Sequence, residues 1–214
     1  MSQQFIDVVT QQSEHEGLKP FILVCIPAYN EEKTIGTVLD KAFRHVEQVI
    51  VCDDGSTDGT NEIARRKGAT VIRNPYNMGK GRALQTCLRL ADRIAPDVIV
   101  TMDADGQHNP EDIPLLVAPI LDGEADLVIG SRYIEGSSTD APLYRRVGLS
   151  IVNAFNQTAN DGVKDTQSGF RAFNKEALRL FTDMSEDGFG VETEQLSIAR
   201  KFDLRIMEVP TTIR

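Results

Sequence analysis

Two apolar runs in this chain each end abruptly in a cluster of aspartates. The first run, residues 46–52, leads into the Asp-Asp-Gly-Ser turn at 53–56, and the second, residues 98–102, leads into Asp-Ala-Asp-Gly-Gln at 103–107. Short runs that are rich in valine and isoleucine predict buried β-strands. Because the carboxyl ends of parallel strands open into one crevice, we expect both acidic clusters to face a single site.

Helical patterns fill the intervals between such runs. In residues 31–43 apolar side chains recur on one helical face, and Asn30 is a suitable N-cap. Alternating strands and helices predict an α/β fold with a single Rossmann-like, mainly parallel sheet flanked by helices. The predicted strands are 21–26, 46–52, 70–73, 98–102, 126–132 and 205–209, with an edge or antiparallel strand within 165–173. The predicted helices are 31–43, 60–67, 82–93, one beginning near 110, 142–158 and 192–202.

Composition and charge restrict the class of protein further. The 214 residues carry a net charge of −9, which argues against a nucleic-acid partner because phosphate backbones require a basic surface. No apolar segment has the length needed to cross a bilayer. Cys25, Cys52 and Cys87 lie in apolar patterns without paired spacing, which indicates reduced, buried thiols in a cytoplasmic protein.

The acidic loop after residue 102 has the chemistry of a cation site. Asp103 and Asp105 stand at alternate positions, and Gln107 offers a neutral oxygen two residues further on. Hard divalent cations such as Mg²⁺ or Mn²⁺ prefer these oxygen ligands, and such a cation would neutralise a diphosphate. The alternative for the same residues is a solvated acidic turn, which Asp-Gly pairs commonly form.

Six motifs in sequence order carry a resemblance to a known enzyme family. They are Ile26-Pro-Ala-Tyr-Asn-Glu-Glu, Asp53-Asp-Gly-Ser-Thr-Asp, Asn77-Met-Gly-Lys-Gly, Asp103-Ala-Asp-Gly-Gln, Gly130-Ser-Arg-Tyr and Asp165-Thr-Gln-Ser-Gly-Phe-Arg. Together they resemble glycosyltransferase family two, most closely its branch of polyprenyl-phosphate (dolichol-phosphate) sugar synthases. The resemblance extends over roughly residues 20–214 and implies a GT-A fold and an inverting, metal-dependent hexosyl transfer.

The resemblance also implies a donor site for a nucleotide sugar of the GDP-mannose or UDP-glucose type. Asp54 is expected to accept hydrogen bonds from the base or ribose, and Lys80 to offset phosphate charge. Asp103, Asp105 and Gln107 are the implied ligands of Mg²⁺ or Mn²⁺. The full set of implied donor contacts is Pro27, Ala28, Tyr29, Glu31, Asp54, Lys80, Asp103, Ala104 and Asp105.

The acceptor decides the mechanism. A polyprenyl or dolichyl phosphate is already anionic, so it needs arginines that hold it and no general base. By the resemblance, Arg132, Arg146 and Ser150 contact this phosphate, and Arg171 is a further candidate. The catalytic set implied by the resemblance is Asp105, Arg132 and Asp103.

Two alternatives stay open at this point. In the first, the acceptor is a hydroxyl of a glycan, a protein or a small molecule, and Glu192 or Glu194 acts as the base. In the second, the chain is a non-catalytic nucleotide-binding module. The chain contains no tryptophan, so it lacks the Gln-x-x-Arg-Trp signature of processive polysaccharide synthases, which argues against a polymerising enzyme.

The expected domain organisation is an N-terminal arm at 1–19 and one catalytic domain at 20–214. Its donor half covers about 20–130 and its acceptor half about 131–214. A lipid-phosphate acceptor implies a cytoplasmic protein that is peripheral at the cytoplasmic face of the membrane. A membrane segment or a partner beyond Arg214 is a further expectation.

Overall fold

The computed structural model describes residues 19–134, 163–185 and 190–212. The strands in these ranges are β1 (Ile22–Ala28), β2 (Gln48–Asp53), β3 (Thr70–Arg73), β4 (Val98–Thr101), β5 (Leu127–Ser131), β6 (Arg171–Asn174) and β7 (Ile206–Pro210). The helices are α1 (Ile35–Ala42), α2 (Thr60–Arg66), α3 (Lys80–Ile94), α4 (Ile113–Leu121), α5 (Lys175–Phe181) and α6 (Val191–Lys201). A 3₁₀ turn at Pro110–Asp112 precedes α4.

All seven strands form one sheet in the order β3-β2-β1-β4-β6-β5-β7. β6 is antiparallel to both of its neighbours, whereas the other pairs of adjacent strands are parallel. The register sets Ala28 opposite Asp53 and Ser131 opposite Pro210, so the strands of each pair end together. This arrangement confirms the predicted α/β class and brings the carboxyl ends of the parallel strands to one edge.

Helices cover both faces of the sheet. Val24 and Ile26 of β1 pack on one face in a core with α1 and α4, whereas Leu23 and Cys25 pack on the other with α3, α5 and α6. Successive side chains of a strand point to opposite faces, so a sheet covered on both sides needs apolar residues at every position. This is why the strands appear in the sequence as continuous apolar runs.

The side chains of Cys25, Cys52 and Cys87 are buried, as predicted, and none of the three forms a disulfide. Burial raises the pKa of the Cys87 thiol well above its ordinary value, so this side chain is a neutral core group. Across the described ranges, no helix combines the length and the apolar character that a membrane crossing requires.

Two predictions of local structure need correction, and one helix was not predicted. The strand expected within 165–173 lies at Arg171–Asn174; it is antiparallel, as one alternative had it, but it is interior and hydrogen-bonds to β4 and β5. The unpredicted helix is α5, whose N-cap Asn174 accepts a hydrogen bond from the Ala177 amide at 2.9 Å. Seven residues give too few turns for a convincing period.

Asn30 does not cap α1, which is the second correction. Its backbone has a φ of 55°, and α1 begins only at Ile35 with Thr34 as N-cap. The asparagine side chain instead accepts a hydrogen bond from the Thr57 amide at 2.9 Å. The predicted helix at 142–158 and, except for its last residue, the predicted arm at 1–19 lie outside the described residues.

Candidate active site

A cavity of about 360 Å³ opens at the edge where β1, β2 and β4 end. This volume is within the range of small-molecule and cofactor pockets. The cavity is lined by all nine residues expected to contact the donor: Pro27, Ala28, Tyr29, Glu31, Asp54, Lys80, Asp103, Ala104 and Asp105. The structure therefore brings this set together around one space, and contact with a nucleotide sugar stays a prediction.

The loops that follow β1 and β2 form one wall because they are hydrogen-bonded to each other. The Asn30 amide donates to the Ser56 hydroxyl at 2.9 Å, and the Glu31 amide donates to the Thr60 hydroxyl at 2.7 Å. These bonds, with the Asn30 to Thr57 contact, satisfy backbone groups that no strand or helix uses. The wall beside Tyr29 and Glu31 is thus fixed by side chains from the neighbouring strand's loop.

Asp54 is bound mainly by the protein itself. Its Oδ1 accepts from Asn74 Nδ2 at 2.7 Å and from the Met78 amide at 3.0 Å, and its Oδ2 accepts from the Gly79 amide at 2.8 Å. By the resemblance these oxygens accept from the base or ribose of a ligand, but in the structure three protein donors already share them. In this structure the carboxylate holds the loop that leads into Lys80.

Lys80 is the first residue of α3 and carries the positive charge of the cavity wall. Its Nζ lies 2.7 Å from Asp103 Oδ1 and 2.8 Å from Glu192 Oε1. Burial by itself lowers the pKa of the ammonium, but the charges of Asp103 and Glu192 outweigh it, and the pKa is raised above its ordinary value. The lysine is therefore a permanent cation that connects the acidic loop to α6.

The acidic loop supplies oxygen ligands of the kind a divalent cation takes. Asp103 and Asp105 line the cavity. The backbone N–H of Gln107 donates to Asp105 Oδ1 at 2.9 Å, which closes the turn. In the described ranges, no group of three or more His, Cys, Asp or Glu side chains is arranged to hold a metal by itself. The carboxylates of Asp103 and Asp105 and the side-chain oxygen of Gln107 nevertheless fit Mg²⁺ or Mn²⁺. Mg²⁺ commonly uses one or two carboxylates and completes its coordination shell with phosphates and water.

His108 holds the acidic loop through a hydrogen bond and a ring contact, a role that was not predicted from the sequence. Its Nδ1 lies 3.2 Å from the Asp103 amide, which donates to it, and its ring stacks on Phe170 with 5.2 Å between centroids. Burial lowers the pKa of the imidazole despite the nearby charge of Asp103, so the neutral ring that can accept this bond is favoured. The signal was a histidine directly after the Asp-x-Asp-Gly-Gln element.

Arg132, at the end of β5, is held by Asp165 at three points. Its backbone amide and Nε donate to Asp165 Oδ2 at 3.0 and 2.7 Å, and its Nη2 donates to Oδ1 at 2.8 Å. Burial raises the pKa of Asp165, but the bonds from Arg132 outweigh it and hold this pKa below its usual range. The hydrogen bonds to Asp165 raise the pKa of Arg132 above its ordinary value, and the charge of Asp103 makes a smaller contribution in the same direction.

Arg171 is a structural residue and not a phosphate ligand, which corrects its assignment. The side chain is fully buried and donates to the carbonyl oxygens of Thr166, Ser168 and Glu192 and to Gln195 Oε1. Burial lowers its pKa to about 10. By binding the Glu192 carbonyl, the guanidinium fixes the start of α6, from which the Glu192 carboxylate reaches Lys80.

The other predicted residues are distributed as follows. Glu194 accepts from the amide and hydroxyl of Ser185, both at 2.9 Å, so it is engaged within the protein and does not belong to the described lining of the cavity. Arg146 and Ser150 lie outside the described residues. Their predicted contact with an acceptor phosphate stays a prediction.

Comparison with known proteins places the chain among characterised enzymes. The family model described as Glycosyl transferase family 2 matches residues 23–181. A UDP-N-acetylglucosamine--dolichyl-phosphate N-acetylglucosaminyltransferase of Methanococcus voltae is 34% identical over 212 residues, covering 88% of this chain and 84% of that protein. A polyprenol monophosphomannose synthase of Mycolicibacterium smegmatis is 31% identical, with 89% and 76% covered.

A solved structure gives the corresponding fold. Glucosyl-3-phosphoglycerate synthase from Mycobacterium tuberculosis, in complex with Mn²⁺, uridine diphosphate and glucosyl-3-phosphoglycerate, superposes with a TM-score of 0.66 at 27% identity. The superposition covers 100% of this chain and 77% of that one. This likeness confirms the GT-A type of α/β fold.

Proposed function

This chain belongs to glycosyl transferase family 2 and is a glycosyltransferase, and from that premise we propose that it transfers a hexose from a nucleotide diphosphate sugar to a polyprenyl or dolichyl phosphate with inversion. One observation carries the proposal. The cavity with Lys80 and the acidic loop opens at the carboxyl-end edge of the sheet, and Arg132 directly follows β5 at the same edge. A donor pocket and an arginine suited to a phosphate thus share one edge of the sheet.

In the proposed reaction the donor lies with its nucleoside against the wall of Tyr29 and Glu31. Its diphosphate lies near Lys80, whose ammonium offsets the charge that develops on the leaving group. An oxygen of the acceptor phosphate attacks the anomeric carbon, and the bond from that carbon to the diphosphate oxygen breaks. The electron pair leaves on the nucleoside diphosphate. Because the acceptor phosphate is already anionic, no proton has to be removed from the nucleophile.

Asp103, Asp105 and Gln107 are the residues that would hold Mg²⁺ or Mn²⁺ in this site. Such a cation, when bound, supplies Lewis-acid stabilisation of the leaving diphosphate. Relatives support the use of a divalent cation, since the glucosyl-3-phosphoglycerate synthase is solved with Mn²⁺ and uridine diphosphate. The protein's own part is to keep Asp103 oriented through Lys80 and His108.

On the acceptor side, Arg132 binds the lipid phosphate together with Arg146 and Ser150 in this proposal. The pair with Asp165 uses Nε and Nη2 of Arg132, and Nη1 lies outside this pair. A cation already paired with a carboxylate holds a phosphate without withdrawing as much of its negative charge, which preserves its nucleophilicity. We further propose that residues 20–214 act as one catalytic domain, peripheral at the cytoplasmic face of a membrane.

A second candidate is transfer to a hydroxyl group, for which a base is required. Glu192 favours it, because this buried carboxylate lies next to Lys80 and is therefore close to the donor cavity, where a base would act. The solved relative that contains glucosyl-3-phosphoglycerate supports the same alternative. The ion pair with Lys80 opposes it, since the Oε1 atom of Glu192 already lies 2.8 Å from the Lys80 ammonium and is not free to take a proton from an acceptor hydroxyl.

The test is transfer of radiolabelled sugar from a panel of GDP- and UDP-sugars, with Mg²⁺ or Mn²⁺, to a short polyprenyl phosphate that partitions into organic solvent. We expect label in the organic phase with one donor, and loss of that label with EDTA and in Asp105→Ala. Asp122→Ala, which changes an exposed aspartate after α4, is the matched control and should retain activity. Release of nucleoside diphosphate without label in the organic phase would favour the hydroxyl acceptor and Glu192.

A further inference from the structure

Behind Asp165 lies a second buried carboxylate, that of Glu208. It belongs to β7, and its position in the sheet is opposite Ile129 of β5, close to the end of the strand that delivers Arg132. Its Oε1 accepts from the Asp165 amide at 2.9 Å and its Oε2 accepts from the Lys164 amide at 2.9 Å. Both carboxylates are almost fully buried, with 3% of Glu208 and 1% of Asp165 exposed.

These contacts connect Glu208 to Arg132 step by step, through the turn at 164–165 and the carboxylate of Asp165. Glu208 fixes the backbone of the 164–165 turn, the turn fixes the Asp165 carboxylate, and Asp165 fixes the guanidinium of Arg132. Glu208 lies at one end of this series, and Arg132 is its exposed end, with a third of the side chain accessible. Burying a carboxylate destabilises a protein unless hydrogen bonds compensate the lost hydration. Two buried carboxylates in one series therefore indicate that the orientation of Arg132 has to be precise.

We infer that Glu208 and Asp165 are positioning residues that orient Arg132 toward the acceptor phosphate. This inference rests on the proposed function for the identity of the acceptor, but the geometry it describes does not. Within the described ranges, no hydrogen bond or ion pair joins Glu208 to Arg132, so its effect passes through the turn. Glutamine at position 208 has one accepting oxygen, and its NH₂ group would face one of the two backbone amides, which displaces the turn.

The sheet contains a matched pair that separates positioning from general stability. Arg205 and Asp126 form the same three contacts, from the backbone amide and Nε to Oδ2 at 2.9 Å each and from Nη2 to Oδ1 at 2.7 Å. This second pair lies just before β5 and β7 begin, at the end of the sheet away from Arg132. Asp126→Asn should therefore destabilise the fold without affecting the acceptor.

Kinetics give the first test. In Glu208→Gln we expect kcat/KM for polyprenyl phosphate to fall on the order of tenfold to hundredfold, while the donor KM stays within about twofold. In Asp126→Asn we expect the acceptor kcat/KM to stay near that of the wild type. The inference is overturned if Glu208→Gln changes neither constant, or if both variants affect donor and acceptor alike.

Nuclear magnetic resonance gives a test that does not depend on the acceptor. The Nε–Hε signals of Arg132 and Arg205, assigned with Arg132→Lys and Arg205→Lys, should both be protected from exchange with water in the full chain. In Glu208→Gln, exchange at Arg132 should accelerate about tenfold or more while Arg205 is unchanged. Unchanged protection of Arg132 would overturn the inference. If wild-type enzyme forms no lipid product but Arg132 loses protection, the proposed acceptor is wrong and the positioning series stands.

Discussion

The ammonium of Lys80 lies 2.7 Å from Asp103 Oδ1, and the same ammonium lies 2.8 Å from Glu192 Oε1. One cation thus forms ion pairs with a carboxylate of the acidic loop and with a buried carboxylate of α6. The loop after β2 sets its position, because Asp54 binds the amides of Met78 and Gly79 just before α3.

Lys80→Gln should impair both stability and activity. The change leaves the buried Glu192 carboxylate without its cation, which we expect to lower the free energy of unfolding by about 2 kcal/mol, since Lys80 is partly exposed. Release of nucleoside diphosphate should fall about a hundredfold. Lys67→Gln is the control: it removes an exposed pair with Asp40 at 2.6 Å, and urea unfolding should shift by less than about 1 kcal/mol. Equal effects of the two variants would contradict the assigned role of Lys80.

Gly169→Ala should reduce activity more than stability. A Cβ at this position would lie 3.1 Å from Lys80 Nζ and 3.1 Å from Asp103 Oδ2, so the ion pair must shift by a few tenths of an ångström. We expect kcat to fall about tenfold and the free energy of unfolding to change by less than about 1 kcal/mol. Gly36→Ala gives a similarly close contact, 3.3 Å from Ile63 Cγ2, away from the cavity, and its kcat should match the wild type.

Gly55→Ala and Gly68→Ala separate a collision from backbone strain. Both glycines have a positive φ, 76° and 92°, but only at Gly55 would a Cβ meet other atoms, at 2.6 Å from the Tyr76 carbonyl carbon. Gly68→Ala should cost about 1 kcal/mol of stability through the φ alone. Gly55→Ala should cost at least about 2 kcal/mol and weaken binding of UDP or GDP with Mn²⁺, measured by calorimetry. Similar free energies of unfolding for the two variants would show that the 76–79 loop shifts away from the added Cβ at little cost in stability.

Asp126→Asn should weaken the dependence of folding stability on pH in the acidic range. Hydrogen bonds from Arg205 hold the pKa of Asp126 below its usual range despite partial burial. A carboxylate with a depressed folded pKa stabilises the protein above its unfolded pKa, near 4, and this contribution is lost as the pH falls through the folded value. The variant should therefore melt at a lower temperature than the wild type at pH 7, and the difference should shrink toward pH 3. A gap independent of pH would exclude this ion pair as the cause.

Much of the scaffold could be predicted from the sequence because it depends on local patterns. A strand covered on both faces requires a continuous apolar run, and acidic turn formers directly after such runs reveal the end of the sheet at which a site opens. Of the nine residues predicted to contact the donor, eight lie in or next to the turns after β1, β2 and β4, and Lys80 follows the loop after β3. The interior position of β6 was not predictable in this way, since four residues with their strand partners far along the chain carry no signal of order in the sheet.

The tertiary structure alone decided which charges meet. Sequence motifs identified Lys80, Asp54, Arg132 and Arg171 as candidate site residues, but a pattern along the chain does not specify which distant side chain each one contacts. Packing placed Lys80 against Glu192 and buried Arg171 among carbonyl oxygens that compensate its desolvation. It also placed Asp54 under the loop before α3 and fixed Arg132 through Asp165. Periodicity fixes which face of an element is buried, whereas electrostatic partners depend on how the elements pack.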